Sequence, residues 1–308
     1  MLSSETFLQK ITALENRPAQ KKFLLAVSGG VDSMVLMHLF QALGFEFQVA
    51  HVNYKLRAES SDLDQKMVED YCSRNGIKCH VYEVSATDEK PESSVQLWAR
   101  NLRYELFFSI LDKEKIDFIV TAHHLNDELE TFLINLSRGS GIRGLSGIPA
   151  SENRIFRPLL DYSKKEIYSF AEENDIPFRE DESNAKNDYL RNRFRNTIIP
   201  EIEKISPKFL EQFGNSLSYL NDANRFIQNE TEKKIAEVSP GFEKERFTIN
   251  KKELLASEHF IITEIIRRLG FSGDEINKVI SAENGKFFRS KTHEIRITAN
   301  EIVADRRR

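Results

Sequence analysis

The sequence predicts an α/β fold in which a parallel β-sheet is covered by helices and is followed by a smaller, mostly helical domain. Short apolar runs alternate with longer amphipathic stretches through the first two thirds of the 308 residues, a pattern typical of parallel sheets. The alternation stops at about residue 155, and the chain has room for two domains of ordinary size. We expect a first domain over residues 1–200 and a second over residues 201–308.

The predicted sheet is built from four apolar runs with three helical patterns between them. Short runs rich in β-branched and aromatic residues predict strands, whereas apolar residues at helical spacing predict helices. The strands are expected at 23–27, 47–52, 78–84 and 117–122, and the helices at about 33–43, 60–75 and 93–114.

Helix signals dominate the chain beyond the predicted sheet. Ser163 and Glu166 form an S-x-x-E capping box that opens a helix, and Pro177 ends it. Alternating apolar and polar residues near the C-terminus predict a β-hairpin. The remaining helices are expected from Pro200 to about 237, over 252–269 and over 273–281.

Three polar segments follow predicted strands at the edge where a parallel sheet binds its ligands. SGGVDS (28–33) follows the first strand, HVNYKLR (51–57) ends the second, and TAHHLNDELET (121–131) ends the fourth. Ligands of open parallel sheets bind beyond the carboxyl ends of the strands. We therefore expect the three segments to meet at one edge and form one site.

The segment SGGVDS has the features of an anion-binding loop. It lies between a strand and a helix, where free backbone N–H groups and the helix dipole favour a negative charge. No lysine follows it as in a Walker A loop, and Asp32 would repel a phosphate unless a divalent cation lay between them, which indicates Mg²⁺. The alternative is a glycine-rich connector with a serine cap. The residues assigned to ligand binding are Ser28, Gly29, Gly30, Val31, Asp32 and Ser33.

A second glycine cluster, RGSGIRGLSG (138–147), gives a weaker signal. Gly139, Gly141 and Gly144 match G-x-G-x-x-G by spacing, but they follow a helical pattern rather than a strand. We therefore expect a flexible or phosphate-contacting loop at the same edge of the sheet, and no dinucleotide site.

Composition excludes several classes of function. No apolar run approaches the roughly 20 residues that span a bilayer, and the N-terminus lacks the apolar core of a signal peptide, so we expect a cytoplasmic protein with no membrane partner. Cys72 and Cys79 are too few for a disulfide framework. The net charge of −4 argues against coating nucleic acid by bulk electrostatics but leaves a local basic face open. The sequence does not fix the oligomeric state, and a homodimer is one option.

Two groups of arginines are candidates for phosphate contacts. Arg100 and Arg103 lie three residues apart on one face of a predicted helix, where a surface pair with neighbouring acids is the alternative. In the polar stretch 179–196, arginines alternate with aromatic residues, which favours phosphate contacts and base stacking on RNA; the alternative is a solvated face. These arginines are Arg191, Arg193 and Arg195.

Together these motifs resemble the N-type ATP-pyrophosphatase, or PP-loop, family. AVSGGVDS (26–33) is similar to the signature of these enzymes, which cleave ATP between its α and β phosphates and leave AMP on a substrate oxygen. The resemblance runs from about residue 21 to residue 200. More narrowly, the motifs of the tRNA(Ile)-lysidine synthetases are resembled in order by HVNYKLR, WARNLRYELF (98–107), TAHHLNDELETFLINLSRGSGIRGLSGI (121–148), RPLL (157–160) and DESNAKNDYLRNRFR (181–195).

The resemblance implies a two-step ligation on RNA. In that family the C2 oxygen of the wobble cytidine of isoleucine tRNA with a CAU anticodon attacks the α-phosphate of ATP, and free L-lysine then displaces AMP. It implies ATP as co-substrate and Mg²⁺ bound by Asp32 and Asp127. The implied catalytic residues are Asp32, Asp127, His123, His124 and Arg100, and the implied tRNA contacts are Arg103, Arg191, Arg193 and Arg195.

Lysine's amine is largely protonated at neutral pH, so the second step favours a positioned base. Asp127 is the candidate, with His123 and His124 as alternatives. Structural roles remain open for all three, because a histidine at a strand end often serves only as a hydrogen-bonding spacer and an aspartate often begins a helix.

Two motifs depart from the family pattern. Asn126 stands where a second, adjacent aspartate is usual, and Tyr54 and Lys55 replace a His-Gly pair. We still expect activity, because Asp32 and other carboxylates remain. The chain also ends before the further C-terminal domain that many members carry, so we expect either a compact member or a shortened chain.

Two other functions would use the same loop and sheet. A tRNA thiolase of the same group would use catalytic cysteines, whereas Cys72 and Cys79 are predicted to lie away from the site. A non-catalytic adenine-nucleotide-binding module would need only the loop and the sheet, and it would explain neither the arginine-rich stretch nor the second domain.

Overall fold

The computed structural model describes residues 1–55, 59–85, 88, 91, 94–180 and 190–307. The chain divides into two compact units, Met1–Leu217 and Ser218–Arg308. The division falls inside one long helix and not at the expected residue 200. Phe213 and Leu217 of this helix pack against Leu129 and Ile199, and this contact keeps its first turns with the first unit.

The first unit contains a six-stranded sheet, and it confirms the predicted α/β class. All neighbouring strands are parallel except the last pair, which is antiparallel. The strands are β1 (Lys22–Ala26), β2 (Glu46–Asn53), β3 (Cys79–Glu83), β4 (Phe118–Val120), β5 (Ser151–Glu152) and β6 (Ile155–Phe156), in the order β3-β2-β1-β4-β6-β5.

Helices cover this sheet on both faces. On β1, Phe23 and Leu25 point to one hydrophobic cluster, whereas Leu24 points to the opposite cluster with Phe107 and Leu111. The helices of the first unit are α1 (Ser4–Leu14), α2 (Val31–Ala42), α3 (Glu59–Arg74), α4 (Val95–Glu114), α5 (Leu125–Ser137), α6 (Ile142–Leu145), α7 (Lys164–Glu173), α8 (Leu190–Arg193) and α9 (Ile199–Ile205), with a π-helical segment at Phe194–Ile198; α10 (Phe209–Val238) crosses the division.

Helix α7 begins as its sequence predicts. The Ser163 hydroxyl accepts the Glu166 N–H at 3.2 Å, and the Glu166 carboxylate accepts the Ser163 N–H at 2.8 Å. This reciprocal capping box fixes the start of α7 at Lys164.

The second unit contains more sheet than the sequence predicts. The predicted hairpin belongs to a four-stranded antiparallel sheet in the order β7-β10-β9-β8. One face of it, including Ile249, Ile295 and Ile302, packs against Ile265 and Ile266. The elements are β7 (Arg246–Asn250), α11 (Lys251–Leu255), α12 (His259–Arg268), α13 (Asp274–Ile280), β8 (Phe287–Arg289), β9 (His293–Ile297) and β10 (Glu301–Arg306). None of the helices described is both long and apolar enough to cross a bilayer.

Candidate active site

The three predicted segments meet at one edge of the sheet. Strands β2, β1 and β4 are neighbours and parallel, so their carboxyl ends lie side by side. His51 Nδ1 lies 2.8 Å from the Val27 carbonyl oxygen, and His124 Nε2 lies 3.7 Å from Asp32 Oδ2. Leu56 and Arg57, the last residues of HVNYKLR, lie outside the described residues.

The loop SGGVDS is closed by its own serines. The Ser33 hydroxyl accepts the Ser28 N–H at 3.1 Å and donates to the Gly30 carbonyl at 2.9 Å. Gly29 has φ +95°, a conformation that side chains rarely adopt. Helix α2 starts immediately after Gly30, so its free N–H groups and positive dipole end meet the loop. This geometry fits the binding of an anion.

Two carboxylates flank a buried imidazole beside the loop. His124 Nε2 lies 3.7 Å from Asp32 Oδ2 and 3.6 Å from Asp127 Oδ2. Burial lowers the pKa of His124, but the attraction of Asp32 and Asp127 outweighs it, and the pKa is raised. Asp32 Oδ1 is buried and has no hydrogen-bond partner among the described residues. A carboxylate oxygen in this state is suited to be the ligand of a cation.

Arg191 and Arg195 bind the carboxylates of α5. Arg191 donates from Nε to Glu130 at 2.6 Å and from Nη2 to Asp127 at 2.8 Å. Arg195 forms two bonds to Glu130, of 2.5 and 2.8 Å. Glu130 is only 1% exposed, and a buried carboxylate requires such partners. These two arginines therefore lie in the site, whereas Arg193 is exposed and Tyr189 lies outside the described residues.

The pKa values of the adjacent histidines are shifted in opposite directions. His123 Nδ1 lies 2.8 Å from the Thr121 hydroxyl, and burial lowers the pKa of His123 to about 4, against the attraction of Asp127. His123 is therefore neutral at pH 7, while the surroundings of His124 favour its protonated form.

Burial raises the pKa of Asp127, but His124 and Arg191 outweigh this effect, so its pKa is lowered and it is ionised. The carboxylate also accepts the His124 backbone N–H at 3.1 Å. Asp127 therefore combines two roles, because it caps the start of α5 and presents a charge to the site.

Of the two α4 arginines, Arg103 lies nearer the site. Its positive charge contributes to the lowered pKa of His123, after burial, and opposes the burial that raises the pKa of Tyr54. Arg100 is exposed, with its guanidinium 5.0 Å from the centre of the Tyr104 ring.

Asn126 serves helix α7 and not the carboxylate cluster. Its side-chain oxygen accepts the Lys164 N–H at 2.8 Å, at the first residue of α7. An aspartate at this position would accept the same bond, so the departure from the family pattern preserves this contact.

Sequence reasoning missed Glu128 and Arg157, which fasten the second glycine cluster. Glu128 is buried and accepts the Ile148 N–H at 2.7 Å, and burial raises the pKa of Glu128 to about 7. Arg157 is also buried and donates to the Pro149 carbonyl at 2.5 Å. The cluster contains α6 and is anchored to α5, so this part differs from the flexible loop that was expected.

Within the described ranges, no three or more His, Cys, Asp or Glu side chains are grouped to hold a metal. A Mg²⁺ at Asp32 and Asp127 would therefore take its other oxygen ligands from phosphate and water, as Mg²⁺ commonly does.

Comparison with known proteins identifies the family. A PP-loop domain model matches residues 3–202, and a model described as the TilS substrate binding domain matches residues 242–303. The tRNA(Ile)-lysidine synthase of Chlorobaculum tepidum is 36% identical over 243 residues, which cover 75% of this chain and 73% of the relative. The chain belongs to the tRNA(Ile)-lysidine synthase family of PP-loop proteins.

Other members of this family are longer than the chain. The tRNA(Ile)-lysidine synthases of Enterococcus faecalis and Bacillus subtilis are each 35% identical to it, over 80% and 76% of its residues. The matched regions cover 55% and 51% of those relatives, so the chain spans about half their length.

A solved structure shows the same fold outside the family. The U34-tRNA thiolase NcsA from Methanococcus maripaludis, solved with its [4Fe-4S] cluster, has a TM-score of 0.56 and 17% identity. The alignment covers 71% of this chain and 79% of NcsA. At this identity the likeness concerns the fold alone.

Proposed function

We propose that the chain ligates free L-lysine to C2 of the wobble cytidine of isoleucine tRNA with a CAU anticodon. The reaction consumes ATP, passes through adenylated tRNA, and yields lysidine, AMP and pyrophosphate in the cytoplasm. The observation that carries the proposal is the Asp32–His124–Asp127 cluster beside the SGGVDS loop, in a chain of this family.

The first step activates the cytidine. The loop N–H groups and the start of α2 bind the phosphates of ATP, and the cytidine C2 oxygen attacks the α-phosphate as pyrophosphate leaves. Asp32 and Asp127 would hold Mg²⁺, which when bound neutralises phosphate charge. Adenylation is needed because a carbonyl oxygen leaves poorly, whereas AMP leaves well.

The second step needs a neutral amine. The amine of lysine has a pKa near 10.4, so its deprotonation at pH 7 costs a free energy of about 4 to 5 kcal/mol. Asp127 is ionised and would accept the proton, while His124 in its protonated form would compensate the charge on the departing AMP. Lysine then binds C2, and the C2–O bond to AMP breaks.

The RNA requires cations at the edge of the site. We assign phosphate contacts to Arg103 and Arg193. We assign them also to Arg191 and Arg195, which would give up part of their bonds to Asp127 and Glu130 when the RNA binds. Arg191 is 40% and Arg195 is 29% exposed, so both can be reached from solvent.

Thiolase chemistry is not supported by the position of the cysteines. Cys79 begins β3, so it lies at the amino end of its strand, whereas the site lies at the carboxyl ends. Cys72 lies near the end of α3 and is buried.

Transfer of labelled lysine tests the proposal. With ATP, the chain is expected to label isoleucine tRNA with a CAU anticodon and to leave initiator and elongator methionine tRNAs, which share that anticodon, unlabelled. No ATP-dependent label on the isoleucine tRNA would refute the function. Sulfur transfer to the tRNA would instead support the thiolase.

A further inference from the structure

The SGGVDS loop has no basic residue of its own for a triphosphate. It lacks the lysine of a Walker A loop, and Asp32 adds a negative charge. Arg191 and Arg195, which lie nearby, are held by Asp127 and Glu130. A triphosphate at this loop would therefore gain from a further guanidinium supplied by another segment.

Arg179 lies directly beside the loop. Its backbone N–H donates to the Gly29 carbonyl at 3.1 Å, and its side-chain Nε donates to Asp64 Oδ1 at 2.7 Å. Asp64, on α3, lies close to the same glycine, because a Cβ added to Gly29 would lie 3.5 Å from the Asp64 Cβ. The loop, α3 and the segment after α7 thus meet at Gly29.

One end of this ion pair is buried and the other is partly exposed. The Asp64 side chain is 10% exposed, whereas the Arg179 side chain is 37% exposed. The bond to Asp64 uses Nε, one of the five donors of a guanidinium. Asp64 therefore orients a planar cation, partly open to solvent, next to the loop that binds phosphate.

We propose that Arg179 binds the triphosphate of ATP and that Asp64 is the positioning residue that holds it there. The inference rests on the proposed function only in requiring that the loop binds ATP. It adds a cation from outside the loop to the bonds that the backbone supplies.

Binding measurements with ATP and adenosine separate a phosphate contact from a structural role. Arg179→Ala in the full chain is expected to weaken the binding of ATP by about 10- to 100-fold, the range of a charge-assisted hydrogen bond. It should leave the binding of adenosine unchanged. Arg179→Lys should recover part of the affinity. Asp64→Asn should weaken ATP binding less than Arg179→Ala does, because this change loosens the guanidinium without removing it.

Arg74→Ala is the matched control, since Arg74 is exposed in the last turn of α3. Unchanged ATP affinity in Arg179→Ala, or an equal loss for ATP and adenosine, would overturn the inference. Adenosine binding also shows that each variant is folded. A wild-type chain that binds ATP but transfers no lysine would refute the proposed function and leave the role of Arg179 standing.

Discussion

His123 and His124 are neighbours in the chain, yet their surroundings shift their pKa values in opposite directions. The ring of His124 lies between two carboxylates, which raise its pKa and favour its cationic form. Burial lowers the pKa of His123 to about 4 and keeps it neutral. The HH pair marks the site in the sequence, but the direction of each pKa shift depends on the tertiary structure around each ring.

Asp32→Asn is expected to abolish tRNA adenylation while the fold remains intact. The change removes the ligand charge, and the affected oxygen bonds to no other described residue. Pyrophosphate release measures the chemistry, and the thermal unfolding midpoint measures the fold. An unchanged rate of tRNA-dependent pyrophosphate release would contradict the role assigned to Asp32.

Asp127→Asn is expected to form adenylated tRNA, because the amide keeps an oxygen ligand for Mg²⁺ beside Asp32. The variant should pass the adenylated tRNA slowly to lysine, because an amide cannot accept the ammonium proton. Raising the pH should partly rescue transfer, with about a tenfold gain in free amine per pH unit below 10.4. Quenched time courses of adenylated and lysinylated tRNA give both rates. Failure of adenylation itself would mean that the Asp127 charge is required to hold Mg²⁺ in the first step, and it would contradict a role confined to proton transfer.

Glu128→Gln is expected to remove a pH-dependent cost to stability. The folded pKa of Glu128, about 7, lies above that of an unfolded glutamate, so its ionisation destabilises the fold as pH rises from about 4.5 through 7. The glutamine oxygen still accepts the Ile148 N–H. Above pH 7 the free energy of unfolding of the variant should exceed that of the wild type by up to about 3 kcal/mol, and near pH 4 the two should be equal. Denaturant unfolding at several pH values checks this, and a constant difference between the two would count against it.

At the scale of elements, sequence periodicity predicts the long strands and helices but not the short or distant ones. Strands β5 and β6 have two residues each, too few to show alternation. The pairing of β7 with β10 joins Phe247 to Ala304, far apart in the chain. Likewise, the bonds of Arg191 to Asp127 and Glu130 depend on tertiary packing, so the sequence marked these residues without revealing that they meet.

The anchoring of the glycine-rich segment gives a prediction with a matched control. Gly147 has φ +77°, and a Cβ there would lie 2.3 Å from a Glu128 oxygen; Gly139 has φ +70° and nothing within 4 Å. Both substitutions to alanine add similar backbone strain, of about 1 kcal/mol. Gly147→Ala should therefore lower the free energy of unfolding by about 1 to 3 kcal/mol more than Gly139→Ala does. Equal unfolding free energies would mean that the Glu128 contact does not constrain this segment.

At the scale of the whole molecule, the net charge of −4 does not describe how the charges are distributed, and we expect the tRNA to meet cations at the edge of the site. Each phosphate contact releases counterions, so tRNA binding should weaken steeply with salt despite the acidic composition. Sequence composition argues against a nucleic-acid-coating protein, but it gives no position for the cations.

Arg193→Ala is expected to reduce the slope of log K against log salt by about 0.7 to 0.9, the value for one phosphate contact. Arg193 is exposed, whereas Arg191 and Arg195 are the arginines that bind the carboxylate cluster, so chemistry at saturating tRNA should be unaffected. Filter binding across a salt series gives the slope, with Arg74→Ala as control. An identical slope would place the RNA elsewhere.

We propose that one site first adenylates the tRNA and then exchanges AMP for lysine. Incubating the chain with isoleucine tRNA and ATP labelled at the α-phosphate, without lysine, tests this order of steps directly. We expect label to accumulate on the tRNA and to be released as AMP when lysine is added. Label that never appears on the tRNA without lysine, although lysine is ligated when present, would contradict the two-step account.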